Sequence, residues 1–187
     1  MPEVLNADQW EAAVLRLREQ KDRYFADDPH SPMPPDQQGD AFPGLSYFAY
    51  DPAYRVVTSH DEEVDHAEIT VETTADGEQS YRRAGRFTLA VPPGELSLST
   101  FAPLDDTDRL WVPFRDATSG ESTYGAGRYL DLRPDEHQLT DGTWIVDLNL
   151  AYNPTCAYNP AYECPLVPTE NWLEVPIEAG EQAYHSG

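Results

Sequence analysis

From Leu45 to Leu150 the chain repeats one pattern: a short run of alternating apolar and polar residues, a turn, then another run. Side chains alternate across a strand, so each run has one face for a core and one for water. In AEITVETT (67–74), Ile69 and Val71 oppose Glu68, Thr70 and Glu72, and Ala75-Asp76-Gly77 supplies a hairpin turn. The return run, 78–91, keeps Phe87, Leu89 and Val91 on one face and is interrupted at Gly85, where a bulge bends it. ELSLSTFAP and RLWVPFRD continue the series, with Leu96 and Leu98, then Leu110, Val112 and Phe114, facing inward. LSYFAY (45–50) and AYRVVTS (53–59), on either side of the Asp51-Pro52 turn signal, begin it. Runs at this spacing predict a mainly β chain, an antiparallel sandwich or barrel.

One segment breaks the pattern. Residues 7–26 place Trp10, Ala13, Val14, Leu17 and Tyr24 on one stripe at helical spacing. Asn6 is positioned to cap this N-terminal amphipathic helix, with Gln9 completing a capping box. Trp10 reads as a packing residue rather than part of a cofactor site. Prolines 29, 32, 34, 35 and 43 then exclude helix and central strand over 27–44, because each removes an amide donor and fixes φ. A helix of that length does not stand alone, so residues 1–187 are expected to form a single domain with its β body at 45–180. The tail is expected to add one strand near Trp172–Ile177 and then a mobile end. The run HDEEVDH (60–66) reads as a solvated loop, with His60 and His66 as surface residues rather than metal ligands.

Charge narrows the partners. Thirty-four acidic residues face twelve basic ones for a net charge of -22, and Lys21 is the only lysine. At molar salt the Debye length falls to ~3 Å, so crowded carboxylates stop repelling and hold water, which points to a halophilic chain. No basic patch is present to neutralise phosphate, which argues against nucleic acid and anionic membrane as partners. The start, MPEVLNADQW, has neither a basic region nor an apolar stretch, and no run of ~18 apolar residues follows. A cytoplasmic protein is expected. The oligomeric state is not legible.

The residues that fit a plain β scaffold least well lie between Phe114 and Leu173. In GRYLDL, Arg128 shares a face with Leu130 and Leu132, while in TWIVDLNL, Asp147 and Asn149 share theirs with Ile145. Two readings follow. In the first, Arg128 is a fork for a carboxylate or phosphate inside a cavity of the β body, with Tyr124, Asp147 and Asn149 orienting the ligand. In the second, Arg128 pairs with Asp147 or Asp116 in a buried network that fixes the sheet register. Gly125-Ala126-Gly127 lacks the continuation of a phosphate loop and reads as a bulge or close backbone approach. Ser119 and Thr123 match no catalytic triad motif. Cys156 and Cys164, with seven residues between them, lack two further ligands for zinc. Buried structural thiols, a disulfide or redox pair, and a catalytic thiol all remain open for them.

Several runs in this stretch resemble one family. They are F-R-D-A-T-S-G, T-Y-G-A-G-R-Y-L and N-L-A-Y-N-P-T-C-A-Y, followed by C-P-L, E-N-W-L and A-G-E, with S-P-M and F-P-G-L-S-Y-F-A-Y earlier. Together they look like the short form of domain-of-unknown-function family 1684. Members usually read Asp-Phe-Asn at Asp147-Leu148-Asn149 and Asn-Pro-Pro-Cys at Asn153–Cys156. The resemblance carries over no activity. The expectation for function is therefore a small polar or anionic molecule held in the β body through Tyr124, Arg128, Asp147 and Asn149. A non-catalytic structural or interaction module is the alternative, with no cofactor in either case.

Overall fold

The computed structural model describes residues 5–184. Helix α1 spans Ala7–Asp27, and the Asn6/Gln9 capping box forms as expected. The strands are β1 (Arg55–Thr58), β2 (His60–Asp61), β3 (Glu68–Glu72), β4 (Glu78–Val91), β5 (Gly94–Pro103), β6 (Leu110–Phe114), β7 (Arg128–Leu132) and β8 (Trp144–Asp147); a single-turn helix, α2 (Pro134–His137), precedes β8. The fold is mainly β and every strand pairing is antiparallel.

Six strands form one sheet in the order β2-β4-β5-β6-β7, with β3 on the same edge of β4 as β2, and β1 pairs with β8 in a second sheet. The long hairpin of β4 and β5 shifts register between Arg83 and Gly85, where the sequence places its bulge. Among the described residues the sheets do not close into a barrel; the arrangement is sandwich-like. Across the gap, Tyr54, Trp144, Val146 and Leu148 pack on Phe87, Leu89, Leu98, Val112, Phe114 and Leu130. The alternation of the runs predicted Phe87, Leu89, Leu98, Val112 and Phe114 as inward; on β8 it is Val146 and Leu148, on the face opposite Asp147 and Asn149, that enter the core. The other face of the large sheet is covered too, by Val71, Tyr81, Phe101, Trp111 and Tyr129 with Val167 from the tail. Leucine- and aromatic-rich packing of this kind contributes roughly 1.5–3 kcal/mol for each fully buried large side chain.

Four local expectations are corrected. LSYFAY is not a strand; only Tyr47 makes a bridge, to Glu181. On α1, Leu17 and Tyr24 are exposed, while Val14 and Phe25 are buried. His60 is not solvated: it sits in β2 with a ring side chain 4% exposed, packed on Phe87 and Trp144 and bonded to Thr100 Oγ1 at 2.9 Å. The tail forms no named strand. Its alternating apolar residues instead lay it as an extended strap, bridged to Arg115 through Trp172 and buried at Ile177, Ala179 and Glu181. Gly180 makes the close approach possible: at φ +77° it takes a left-handed conformation, and any Cβ there would collide with the Ala151 and Leu148 carbonyls. The mobile end falls in part on residues 185–187, and the reading of the N-terminus on residues 1–4, both outside the described residues.

Candidate ligand groove beneath the N-terminal helix

The four residues singled out from sequence fall in three places. Arg128 is fully buried. Its Nη2 donates to Asp116 Oδ2 at 2.9 Å and to the Ile177 carbonyl at 2.8 Å. Its Nη1 donates to the carbonyls of Ala179 and, at 3.1 Å, Glu181. The guanidinium lies 5.1 Å from the centre of the Phe114 ring. Burial lowers the Arg128 pKa, and the Asp116 carboxylate opposes that shift. Asp116 is satisfied in turn by Thr118, whose amide donates at 2.8 Å. Of the two partners foreseen for Arg128 it is Asp116 that it meets, and the rest of its fork clamps the tail strap onto β7. Gly127, immediately before it, has φ +101° and lies against the Phe114 carbonyl, the close backbone approach expected of the glycine pair.

Asp147 and Asn149 do meet, through a route the strand reading missed. β8 ends at Asp147, and Leu148–Leu150 turn as a 3-10 helix capped by the Asp147 carboxylate, which accepts from the Asn149 amide at 2.9 Å. An aspartate offering its side chain to the backbone two residues on competes with strand continuation, and here it wins. Asn149 Nδ2 donates to Asp147 Oδ1 and to the Asp51 carbonyl, both at 2.8 Å, and its Oδ1 accepts from the Asp51 amide at 3.0 Å. Trp10 Nε1 donates to the other Asp147 oxygen, which ties α1 to the sheet. Burial raises the Asp147 pKa despite these bonds. Tyr124 stands apart from both, its hydroxyl 3.6 Å from Cys156 Sγ.

A fourth cluster, absent from the sequence reading, forms where the strap passes under α1. Glu181 is 1% exposed, held there because Arg128 grips its own carbonyl and those of Ile177 and Ala179. Its carboxylate pairs with Lys21 Nζ, accepts from Tyr158 Oη, and takes the Asn153 amide at 2.8 Å. Lys21 Nζ lies 5.2 Å from the Phe25 ring centre, 5.3 Å from Tyr152 and 5.7 Å from Tyr158, an aromatic surround that favours a cation. One turn earlier, Arg18 donates to the Phe48 carbonyl at 2.9 Å and the Asn149 carbonyl at 3.2 Å, with its guanidinium 4.5 Å from the centre of the Tyr47 ring. Burial lowers the Arg18 pKa and raises that of Tyr47, whose hydroxyl also feels the Glu181 carboxylate.

Two cavities open on this cluster and share Lys21 and Tyr152. One, of about 290 Å³, is lined by Leu17, Arg18, Tyr47, Asn149, Leu150, Ala151 and Glu181. The other, of about 360 Å³, is lined by Phe25, His30, Asn153, Thr155, Tyr158 and Tyr162. Volumes near 300 Å³ suit small metabolites. Donors remain unspent at the join: an ammonium has three and Glu181 takes one, whereas Arg18 Nε, like Arg128 Nε, is buried without a hydrogen-bond partner among the described residues. Signals for this site were present in the sequence. The only lysine and the terminal A-G-E run that carries Glu181 were both visible; what sequence could not supply was that the tail folds back beneath α1.

Residues 40–182 match the family described as protein of unknown function DUF1684. No curated protein matches the chain. Among solved structures, the solution structure of an uncharacterized protein from the halophilic archaeon Haloarcula marismortui is 38% identical, covers 94% of this chain and 95% of its own, and superposes with a TM-score of 0.68. Among the described residues no helix is long and apolar enough to cross a membrane. The chain belongs to the DUF1684 family.

Proposed function

We propose that the chain binds a small molecule with an anionic head and an apolar body in the groove between α1 and the tail strap. One observation carries this reading: in a chain of net charge -22, the sole lysine and a neighbouring arginine converge on one cavity with donors left over. The head, a carboxylate by preference, sits against Lys21 and Arg18. Leu17, Leu150, Ala151 and the Tyr47 and Tyr152 rings take the apolar body. Asn149 remains part of the site as a wall whose amide is already spent on Asp51 and Asp147. Arg128 acts as a positioning residue that holds the strap and hence Glu181.

The alternative, a structural or interaction module, is favoured by a different observation: Arg128 makes four hydrogen bonds within the protein, one of them to the Asp116 carboxylate that meets its charge. Amide chemical-shift mapping with a series of short- and medium-chain carboxylates separates the two. The groove reading expects perturbations at Leu17, Lys21, Tyr47, Leu150 and Glu181. Perturbations scattered over the surface, or none at millimolar carboxylate, would leave the structural module standing. The acidic surface is part of the same proposal: the chain works in molar salt, so the mapping is done in potassium chloride at that strength.

A further inference from the structure

Both cysteines are free, and both sit in the segment that follows the 3-10 turn of β8. Cys156 lies on a 3-10 turn, Thr155–Ala157. Cys164 is pinned beyond the end of β3, its amide donating to Thr74 Oγ1 at 3.1 Å and its carbonyl accepting from the Thr74 amide at 3.0 Å. The two ends of the loop meet where the Cys156 amide donates to the Cys164 sulfur. Two polar groups converge on the Cys164 sulfur: the Cys156 amide donates to it at 3.3 Å, and the Thr155 hydroxyl lies 3.3 Å from it. Cys164 is buried, Cys156 is half-buried, and the Tyr124 hydroxyl touches the latter. A thiol that served only as a small apolar filler has no use for an amide and a hydroxyl aimed at its sulfur; a thiolate does.

We propose that Cys156 and Cys164 form a peroxide-reactive dithiol, with Cys164 as the attacking sulfur and Cys156 as the resolving one. The Cys164 thiolate attacks one oxygen of a small hydroperoxide. The O–O bond breaks, Cys164 becomes a sulfenic acid, and the leaving oxygen is protonated to water or an alcohol. Cys156, deprotonated as it reacts, then attacks the Cys164 sulfur. An S–S bond forms and hydroxide leaves with that proton as a second water. Two thiols are oxidised and one peroxide is reduced; an external dithiol reverses the change. The Cys156 amide aimed at the Cys164 sulfur favours the charge there; beside the Cys156 thiol the Cys164 pKa is lowered to about 6, and the same proximity raises that of Cys156. The oxidised pair closes a short ring within the loop that supplies Asn153, Thr155, Tyr158 and Tyr162 to the groove. This assignment does not depend on what the groove binds.

The test is intact mass and thiol counting on the full chain after stoichiometric hydrogen peroxide in molar potassium chloride. The expected product is a monomer lighter by two hydrogens, with no thiol alkylated after unfolding, restored by dithiothreitol. Cys156→Ser is expected to trap a sulfenic acid at Cys164 as a dimedone adduct, and Cys164→Ser to give none at Cys156. Circular dichroism of each variant checks that it retains the parent fold, and the parent result stands without them. Two persistent thiols in the parent, or disulfides only between chains, would overturn the dithiol. An adduct on Cys156 in Cys164→Ser at the rate of the reverse variant would overturn the assigned order of attack.

Discussion

Two ion pairs hold the same tail strap, and they are built to opposite specifications. Arg128–Asp116 is sealed, with both side chains 0% exposed, and the guanidinium fork is spread over Asp116 and three backbone carbonyls. Lys21–Glu181 sits on the last strap residue that Arg128 holds, and its lysine side chain is 27% exposed at the junction of two cavities. The first uses its charge to close the fold. The second puts a charge where something else can reach it. A buried arginine on an apolar face is compatible with either use, and what decides between them is whether any donor remains unspent at a surface a ligand can touch. On the proposed reading the ligand site lies in the groove rather than in the β body, and Arg128 positions it.

The largest separation should come from truncating each cation. Arg128→Met leaves Asp116 buried without its partner and three strap carbonyls without donors, so chemical denaturation should report a loss of about 3–5 kcal/mol. Lys21→Met should cost less, about 1–3 kcal/mol, because Glu181 keeps the Asn153 amide and the Tyr158 hydroxyl. Equal costs would mean that the two pairs are the same kind of object, and the contrast would fall.

How much of this was legible in the sequence follows from the same physics. Alternation gave the inward faces of β3 to β7, because a period of two has one meaning wherever a core lies on one side. It misled at TWIVDLNL, where Asp147 stops the strand by capping the next turn, and in the tail, where the same alternation belongs to an extended strap without a strand partner. Asp116 was on the short list for Arg128, but no local rule could choose it over Asp147. Lys21 and Glu181 are 160 residues apart, and only the backbone approach at Gly180 brings them together. Local chemistry was readable; contacts that need the chain to return on itself were not.

A smaller effect distinguishes the pairs by their solvent. Salt screens exposed charge far more than buried charge, with a Debye length of ~3 Å at 1 M. The cost of Lys21→Met should therefore shrink between dilute buffer and molar potassium chloride, while that of Arg128→Met should stay constant. Denaturation series at several salt concentrations check this, and parallel trends for both variants would contradict the assigned exposures.

The smallest effect concerns Asp147, at the foot of α1. Burial raises its carboxyl pKa in the folded state, so the folded chain holds that proton more tightly than the unfolded one. This contribution favours folding at low pH and is lost as pH rises from about 4, the ordinary aspartate value, through the raised folded value. Asp147→Asn should flatten that part of the stability profile relative to the parent. An identical slope in both would show that Asp147 ionises in the fold as freely as in water.

The central claim, that Lys21 and Glu181 form the head of a binding groove, is tested most directly by ligand-induced stabilisation. The parent and Lys21→Met/Glu181→Gln, which removes both charges together, are melted in molar potassium chloride with a graded series of monocarboxylates. We predict that at least one carboxylate stabilises the parent by about 2.7 kcal/mol at a hundredfold excess over its dissociation constant, and that the double variant folds but loses the response. A parent that no carboxylate stabilises, or a double variant that responds as the parent does, would contradict it.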